Sequence, residues 1–234
     1  MKPAVRIAAL MGVPVKFIWT HDAFRVGEDG PTHEPVEQEA QIRLMEKLQN
    51  HKGQDSVRVF RPADADETTV CWAMAMENTN TPTALILSRQ GIAKLPAGNN
   101  YEEARKGAYI VAGSDENPDV ILVASGSEVS TLESGCEALR RDGIKVRVVS
   151  APSEGLFRRQ SAEYQEAVLP YNVKKFGMTA GLPCTLEGLV GIGPNSKVFG
   201  MKSFGFSAPY KVLDEKLGYT GENVYNQVKE FLNR

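Results

Sequence analysis

The sequence predicts an α/β fold with two consecutive domains, each built on a mainly parallel sheet flanked by helices. In both halves, short apolar runs typical of buried strands alternate with helical patterns. Between residues 90 and 118 the alternation gives way to Gly, Pro, Asn and charged residues, which is typical of a domain boundary. A chain of 234 residues, 42% of them hydrophobic, is long enough for two domains of about 100 residues. We therefore predict domains over residues 1–104 and 105–234.

The first half carries the βαβαβ pattern of a parallel sheet. Its predicted elements are, in order, a strand over 13–20, a helix over 35–48, a strand over 57–60, a helix over 64–77 and a strand over 83–88. Asp64 can cap the second of these helices, with Glu67 at the position that reaches back to the cap. Residues 4–11 resemble the last turns of a helix that Gly12 ends. Because the domain opens within a helix, we expect this first domain to be incomplete.

The second half restarts the alternation. Its predicted elements are strands over 109–112 and 120–124, a helix over 128–142, a strand over 145–150, a helix over 162–168, a weak strand over 174–179, a strand near Val198 and helices over 209–217 and 222–232. A loop rich in Gly and Pro separates the weak strand from the strand near Val198. Gly177 is expected to weaken its strand, because it has no side chain to pack. The turn at residues 125–128 has free amides that would suit an anion, but Ser125 and Glu128 also match the capping box of the helix that follows them.

Composition narrows the classes of function. The net charge of -2, with both signs mixed along the chain, gives no basic face for nucleic acid, so we expect a small-molecule partner. No apolar run reaches about 18 residues, which predicts no membrane-spanning helix. Cys71, Cys136 and Cys184 lie far apart without a Cys-x-x-Cys pair, which argues against a disulfide framework or a zinc site. The sequence therefore predicts a protein of the reducing cytoplasm.

The loop over residues 20–35 holds the densest group of chemically active side chains. It follows the first predicted strand, at the sheet edge where open α/β folds bind ligands. His21 and His33 can donate to oxyanions or move protons, and Asp29 can accept from sugar hydroxyls. Each residue alone is also compatible with an ordinary surface loop. His21 and His33 with an acid would suit a metal by residue type, but their spacing is not a recognised zinc pattern, so a sugar, an anion and a metal all stay open.

Arg89 is the second candidate for ligand binding. It stands at the carboxyl end of the predicted strand over 83–88, and a guanidinium there suits bidentate phosphate binding. The alternative is a structural ion pair with a neighbouring carboxylate. Arg61 has the same position after its own strand, but it precedes Pro62 and lies beside the Asp64 cap, so we expect a structural role for it. The sequence contains no Gly-x-Gly-x-x-Gly or Walker motif, so these routes to nucleotide binding are unsupported.

Two segments of the loop match a known signature. Thr-His-Asp at residues 20–22 and Gly-Glu-Asp-Gly-Pro-Thr-His at residues 27–33 resemble the pyrimidine-binding domain of the transketolase family. Further stretches that resemble the family follow in order at residues 36–37, 61–64, 85–90, 124–129, 148–153 and 204–209. The resemblance covers essentially the whole chain. It identifies the chain as similar to the second half of that domain followed by the complete C-terminal domain.

The resemblance implies a transferase of the pentose phosphate pathway. Transketolases move a two-carbon ketol unit from a ketose phosphate to an aldose phosphate with thiamine diphosphate and a divalent metal, Mg²⁺ or Ca²⁺. By position, His21 and Arg89 resemble ligands of the substrate phosphate, and Asp29 resembles the residue that reads the C2 hydroxyl. His33 resembles the histidine close to the aminopyrimidine of the cofactor, so it is the expected catalytic and cofactor-binding residue. The expected partners are sugar phosphates and either a second copy of the chain or a partner chain that carries the diphosphate-binding domain.

The comparison with the family also predicts what this stretch of sequence lacks. In the family, aromatic residues that grip the pyrimidine ring stand just before the segment that matches residues 4–6. The glutamate that activates the cofactor and the metal ligands lie further upstream. We therefore expect these 234 residues alone to carry no metal site, not to bind the cofactor and to be inactive. Two alternatives stay open: the C-terminal subunit of a split transketolase, and a non-catalytic assembly or regulatory module.

Overall fold

The structure, a computed structural model, describes residues 2–96, 98–113 and 117–233. The first part of the described chain holds three parallel strands, β1 (Lys16–Trp19), β2 (Arg58–Phe60) and β3 (Thr83–Ile86), in the order β1-β3-β2. The helices that accompany them are α1 (Lys2–Met11), α2 (Gln38–Glu46) and α3 (Ala65–Glu77), and a short 3-10 helix, Phe24–Val26, follows β1. The predicted alternation and the parallel sheet are confirmed.

The described residues from 98 onward contain a second sheet. Its strands are β4 (Tyr109–Ala112), β5 (Val120–Ala124), β6 (Val146–Ser150), β7 (Lys174–Met178) and β8 (Ser196–Phe199), in the order β4-β6-β5-β7-β8. The helices are α4 (Glu128–Arg141), α5 (Glu154–Phe157), α6 (Ala162–Val168), α7 (Cys184–Val190), α8 (Tyr210–Leu217) and α9 (Gly221–Leu232), and a 3-10 helix, Gly98–Lys106, precedes β4. β4 runs antiparallel to β6 and the other pairs are parallel, so the prediction of mainly parallel sheets is confirmed.

Strand β5 forms the centre of the second sheet. Every residue of its Val-Ile-Leu-Val-Ala run is buried, and β6 and β7 pair with it on either side. A continuous apolar run is what a parallel strand covered on both faces requires. Helix α4 covers one face, and it approaches α9 closely at Gly135, where a Cβ atom would lie 2.7 Å from Val224 Cγ1. Helix α9 is therefore tied to the centre of the second sheet through α4.

Two short helices, α5 and α7, do not follow from the sequence pattern. α7 lies in the stretch predicted to be a loop rich in Gly and Pro. Pro183 directly precedes it, and the fixed φ of proline suits the start of a helix. Within α7, a Cβ atom on Gly188 would lie 2.3 Å from Glu154 Oε1, so α7 packs against α5 because this residue has no side chain. The glycine that suggests a loop instead permits a close contact between helices.

The predicted helix caps have different outcomes. Asp64 accepts a hydrogen bond from Glu67 N at 2.9 Å, and Glu67 Oε2 accepts one from Ala63 N at 2.8 Å, which confirms the cap of α3. The capping box predicted at Ser125 and Glu128 is wrong. Ser127 is the residue that precedes α4, and the carboxylate of Glu128 instead forms ion pairs with two arginines. The buried charges of this region are stronger partners for the carboxylate than a backbone amide.

The segment predicted to be a weak strand is β7, an inner strand between β5 and β8. A Cβ atom on Gly177 would lie 2.9 Å from Val190 Cγ2 of α7 and 3.3 Å from Val198 Cγ2 of β8. Gly177 is buried, so the missing side chain leaves room for the helix rather than a gap. The strand is held by its neighbours, which the intrinsic preference of glycine does not reveal.

One apolar cluster spans both sheets. Phe60 and Leu85 of the first sheet belong to the same buried cluster as Leu122 and Phe176 of the second. The same cluster contains Ala23 and Phe24 of the loop after β1, so the apolar surface that the two sheets share reaches the predicted site.

The boundary at residues 104 and 105 falls near the end of the 3-10 helix that precedes β4, and it stays a prediction. Among the residues that the structure describes, no helix combines the length and apolar character needed to cross a membrane.

Candidate functional site

The loop after β1 begins beside the end of β3. Leu87 N donates to Trp19 O at 2.7 Å, and Asp22 N donates to Leu87 O at 3.2 Å, so the carboxyl ends of the two strands are joined by backbone hydrogen bonds. His21 and Ala23 have positive φ angles of 67° and 54°. A positive φ angle costs energy in residues other than glycine, and it persists only where the surrounding structure imposes it. The edge that the sequence predicts for ligand binding is therefore a tightly constrained turn.

His21 and His33 line the same cavity. The cavity has a volume of about 400 Å³, and its lining is more apolar than polar. Its lining residues are Ile18, Trp19, Thr20, His21, Asp22, Ala23, His33, Pro35, Gln38, Glu39, Ile42, Ile86 and Gly181. Nδ1 of His21 lies 2.8 Å from Thr20 Oγ1, and Nδ1 of His33 lies 2.9 Å from Thr32 Oγ1. In both residues the local hydroxyl engages Nδ1, which leaves Nε2 as the nitrogen that can meet a ligand.

Asp29 and Arg89 lie outside the lining of this cavity, as far as the described residues define it. Asp29 is exposed in the turn between Gly27 and Gly30, whose φ angles of 94° and 75° confirm that these glycines allow a tightly folded loop. Arg89 is exposed at the end of β3, and its Nη1 donates to Val26 O at 2.6 Å. The structure thus brings the two histidines together, and it places Arg89 against the loop that carries Asp29.

Arg61 is buried and holds the start of the loop after β1 through an ion pair with Asp22. This guanidinium is 1% exposed and binds Asp22 Oδ2 through Nη2 at 2.6 Å and Glu128 Oε2 through Nη1 at 2.6 Å. Glu39 Oε2 lies 3.5 Å from its Nε. Burial opposes ionisation of Glu128, but Arg61 and Arg25 outweigh this effect and hold its pKa below the ordinary value. The structural role expected for Arg61 is confirmed, and it fixes the residue that follows His21.

Arg25 is a second buried anchor, which the sequence does not reveal. Its Nη1 lies 2.7 Å from Glu128 Oε1, its Nε lies 2.7 Å from Asp214 Oδ1 of α8, and its Nη2 donates to Thr131 Oγ1 of α4 at 3.1 Å. The one signal in the sequence is a charged residue between two apolar ones, Phe24 and Val26, directly before the glycines. The partners are more than 100 residues away, so nothing local identifies them.

Glu34 follows His33 and is 3% exposed. Its carboxylate lies under the backbone of Gly205, where a Cβ atom would be 1.4 Å from Oε2. Burial raises the pKa of Glu34 to about 7, although the amides of Phe206 and Gly27 oppose the shift. The carboxyl group of Glu34 therefore lies between the site loop and a segment of the second part of the chain.

The described side chains provide no site for a metal ion. Among them there is no group of three or more His, Cys, Asp or Glu residues arranged to hold one. A tightly bound Mg²⁺ or Ca²⁺ in proteins needs several convergent oxygen ligands. The open alternative of a metal held by His21, His33 and an acid therefore has no support in this part of the chain.

Comparison with known proteins gives a consistent result in both parts of the chain. Residues 1–94 match the family described as the transketolase pyrimidine-binding domain, and residues 107–220 match the transketolase-like C-terminal domain. The transketolase of Staphylococcus aureus strain MW2 is 43% identical in an alignment 231 positions long, and the alignment covers 97% of this chain and 33% of that protein. The transketolase of Halalkalibacterium halodurans is 42% identical in an alignment 238 positions long, and the alignment covers 99% of this chain and 34% of that protein. The chain spans about a third of the length of these relatives.

Solved structures show the same fold. The transketolase of Leishmania mexicana superposes with a TM-score of 0.87 at 39% identity, over 99% of this chain and 32% of that one. A split-gene transketolase, described as an inactive beta4 tetramer, superposes with a TM-score of 0.68 at 24% identity, over 94% of this chain and 67% of that one. At this lower identity the second comparison establishes the fold alone.

Proposed function

This chain belongs to the transketolase family and corresponds to its C-terminal part, and on that premise we propose that it takes part in moving a two-carbon ketol unit from a ketose phosphate to an aldose phosphate. The observation that carries the proposal is the arrangement at the ends of β1 and β3. His21 and His33 share a cavity there, and Arg89 lies at the end of the neighbouring strand. The boundary between the two domains is proposed at residues 104 and 105.

Arg89 and His21 are the proposed ligands of the sugar phosphate. A guanidinium has five N–H donors, and in Arg89 the contact with Val26 O engages Nη1, so the outer edge can meet phosphate oxygens. His21 lies at the end of the adjacent strand, with Nδ1 against Thr20 Oγ1 and Nε2 left for an oxyanion. Two cationic or donor groups on neighbouring strand ends can hold a dianion from two sides.

Asp29 and His33 are proposed to act on the sugar and on its reacting end. Asp29 is exposed, and an ionised carboxylate accepts hydrogen bonds from hydroxyl groups, which suits the C2 hydroxyl of the sugar. His33 lines the cavity, and its imidazole can give or take a proton near neutral pH. Phosphate binding is thus assigned to residues at the strand ends, and proton transfer is assigned to the histidine near the other end of the loop.

The described residues fit one end of the cofactor. Thiamine diphosphate, when bound, supplies the carbon nucleophile that carries the two-carbon unit between sugars. The cavity beside His33 has apolar walls formed by Ile18, Ile42 and Ile86, which suit a planar ring such as the aminopyrimidine. A metal–diphosphate group finds no cluster of ligands among the described residues. We propose that polypeptide outside these 234 residues holds that end, so this chain alone does not turn over substrate.

A kinetic experiment tests the proposed function. The 234-residue chain is assayed with thiamine diphosphate, Mg²⁺, fructose 6-phosphate and an aldose phosphate, alone and after addition of a transketolase diphosphate-binding domain. We expect no turnover alone and turnover in the mixture. In the mixture, Arg89→Met should raise KM for the ketose phosphate at least about tenfold, because a charged hydrogen-bond donor is lost, and His33→Ala should lower kcat. Arg105→Met is the matched control, since Arg105 is an exposed arginine paired with Glu77 and Glu102.

Two results would contradict parts of the proposal. If the mixture shows no turnover, or if Arg89→Met behaves like Arg105→Met, the assignment of the site is wrong. If the chain alone turns over substrate above the level of a His33→Ala control, the proposed need for additional polypeptide is wrong. The two parts are therefore tested separately by one set of proteins.

The apolar surface of the first part favours a form of the proposal in which a partner completes the enzyme. Ile7, Leu10 and Met11 of α1 are more than half exposed, and Ile18 of the edge strand β1 is 44% exposed. A second copy or a partner chain with the diphosphate-binding domain could cover these residues, and the split-gene structure has the same fold. The free thiols of Cys71, Cys136 and Cys184 are consistent with the proposed cytoplasmic location. Co-purification of a chain that binds thiamine diphosphate would support the split form.

A further inference from the structure

We propose that residues 203–209, between β8 and α8, hold the site loop in position, and that Ser207 and Gly205 are positioning residues for Asp29 and His33. The roles of Asp29 and His33 rest on the proposed function, whereas the contacts do not depend on it. The segment belongs to the second part of the chain, so residues that follow the second sheet would support the site loop of the first.

Ser207 supports the turn that carries Asp29. Its Oγ donates to Glu28 O at 2.6 Å. A Cβ atom on Gly30 would lie 3.3 Å from Ser207 Cβ, so the backbone on the other side of Asp29 also lies against this serine. At Gly27, a Cβ atom would lie 3.3 Å from Ala208 O. The turn is therefore held before and after Asp29, while the Asp29 carboxylate itself stays exposed.

Gly205 supports the other end of the loop, next to His33. The backbone of Gly205 lies so close to Glu34 that a Cβ atom would be 1.4 Å from Oε2 and 2.6 Å from Cδ. Glu34 is buried beneath it, and His33 remains exposed on the cavity side. The segment thus contacts the residue that follows His33 without covering the imidazole.

The segment alternates in the direction of its side chains, as an extended chain does. Phe204 and Phe206 are 70% and 54% exposed, whereas Gly205 is buried and Ser207 bonds to the loop. Two large apolar residues that face outward cannot hold the segment by core packing. The residues that face inward contact the loop only through their backbone and through the hydroxyl group of Ser207. These contacts therefore depend on where the backbone of the segment lies.

Both ends of the segment are fixed. On one side, Met201 is buried and its N donates to Gly181 O at 2.9 Å. On the other side, α8 is tied to the loop by the ion pair between Asp214 and Arg25 at 2.7 Å. Because both ends are held, the backbone of the segment has little freedom to move, and the loop residues in contact with it are restrained as well. The contacts at Glu28, Gly30 and Glu34 therefore limit the positions that Asp29 and His33 can take.

Nuclear magnetic resonance of the histidine rings tests the inference on the whole chain, without substrate. The chain has 3 histidines, His21, His33 and His51, and His51 serves as an internal reference because it lies in the exposed turn after α2. Ser207→Ala removes the hydrogen bond to Glu28 O. Because Ser207 is exposed, the fold should persist. Ser207→Thr retains the hydroxyl. Ser203→Ala is the matched control, since Ser203 Oγ bonds to Phe204 O within the segment itself.

We expect Ser207→Ala to shift or broaden the His33 signal and to increase amide exchange over residues 27–34 by about fivefold, as loss of one hydrogen bond implies. In Ser207→Thr the His33 signal and the amide exchange should resemble those of the wild type, and Ser203→Ala should change neither. Unchanged His33 signals and exchange in Ser207→Ala, or equal changes in Ser203→Ala, would overturn the inference. Neither readout involves turnover, so this failure is distinct from a failure of the Arg89→Met kinetic test.

Discussion

Arg61 and Glu128 form a buried ion pair that joins the two sheets, with Nη1 and Oε2 2.6 Å apart. Arg61 follows β2 of the first sheet, and Glu128 begins α4 of the second. The other carboxylate oxygen of Glu128 binds Arg25 at 2.7 Å. One carboxylate therefore bridges two guanidinium groups, each of which also holds the loop after β1.

Replacement of this carboxylate should be strongly destabilising. Glu128→Gln keeps the shape of the side chain but removes the negative charge that faces two buried arginines. Removing one partner of a buried ion pair costs about 3–5 kcal/mol of the free energy of unfolding. Urea unfolding measures the change in the free energy of unfolding. Glu77→Gln is the control, because Glu77 pairs with Arg105 at the surface and should cost at most about 1 kcal/mol. Equal effects of the two substitutions would show that the buried pair contributes no more than a surface pair.

Much of the site could be predicted because its chemistry is local. His21, Asp29 and His33 lie within 13 residues of one another in the sequence, and the apolar strand before them predicts the sheet edge. The strand Val120–Ala124 was equally predictable, since both of its faces are buried. The supports of the loop were not predictable: Arg25 bonds to Asp214 across 189 residues, and Ser207 bonds to Glu28 across 179. No local pattern reports contacts over such separations, and Arg25 and Ser207 have the composition of ordinary loop residues.

The contact between Gly205 and Glu34 should appear as an energetic coupling. Gly205→Ala forces a buried carboxylate to move, which should cost about 1–3 kcal/mol. Glu34→Ala removes Cδ and both oxygens, and the remaining Cβ would lie 3.3 Å from the new methyl group. The double variant should therefore lose less than the sum of the single variants by at least about 1 kcal/mol in urea unfolding. Strict additivity would mean that the two residues do not constrain one another.

Gly177 separates intrinsic preference from packing. Alanine is favoured over glycine by roughly 0.5–1 kcal/mol in a strand where the space is open. At Gly177 the new methyl group would meet Val190 of α7 at 2.9 Å, so we expect Gly177→Ala to destabilise by about 1–3 kcal/mol. Gly91→Ala is the matched control, because a Cβ atom there has no neighbour within 4 Å and should change stability little. Thermal unfolding of both variants measures the difference, and a raised Tm for Gly177→Ala would refute the packing argument.

Glu67 should make stability depend on pH. It is 0% exposed, and burial raises its pKa to about 7, although hydrogen bonds from Ser150, Ala63 and Tyr109 oppose the shift. In the unfolded chain its pKa is near 4.5. As pH rises from about 4.5 to 7, the unfolded state therefore loses its proton before the folded state does, and the free energy of unfolding falls by up to about 3 kcal/mol. The contribution is complete below pH 4.5 and is lost once pH passes 7.

Glu67→Gln should remove this dependence. The amide is neutral at every pH, and it can accept from Ala63 N and donate to Tyr109 Oη, the atoms that Glu67 contacts at 2.8 Å in each case. Urea unfolding at pH 5 and pH 8 should show a stability difference smaller in the variant than in the wild type by about 2–3 kcal/mol. Glu77→Gln, on the same helix but exposed, should leave the difference unchanged. An identical pH dependence in Glu67→Gln and the wild type would show that Glu67 is already ionised in the folded chain at pH 5.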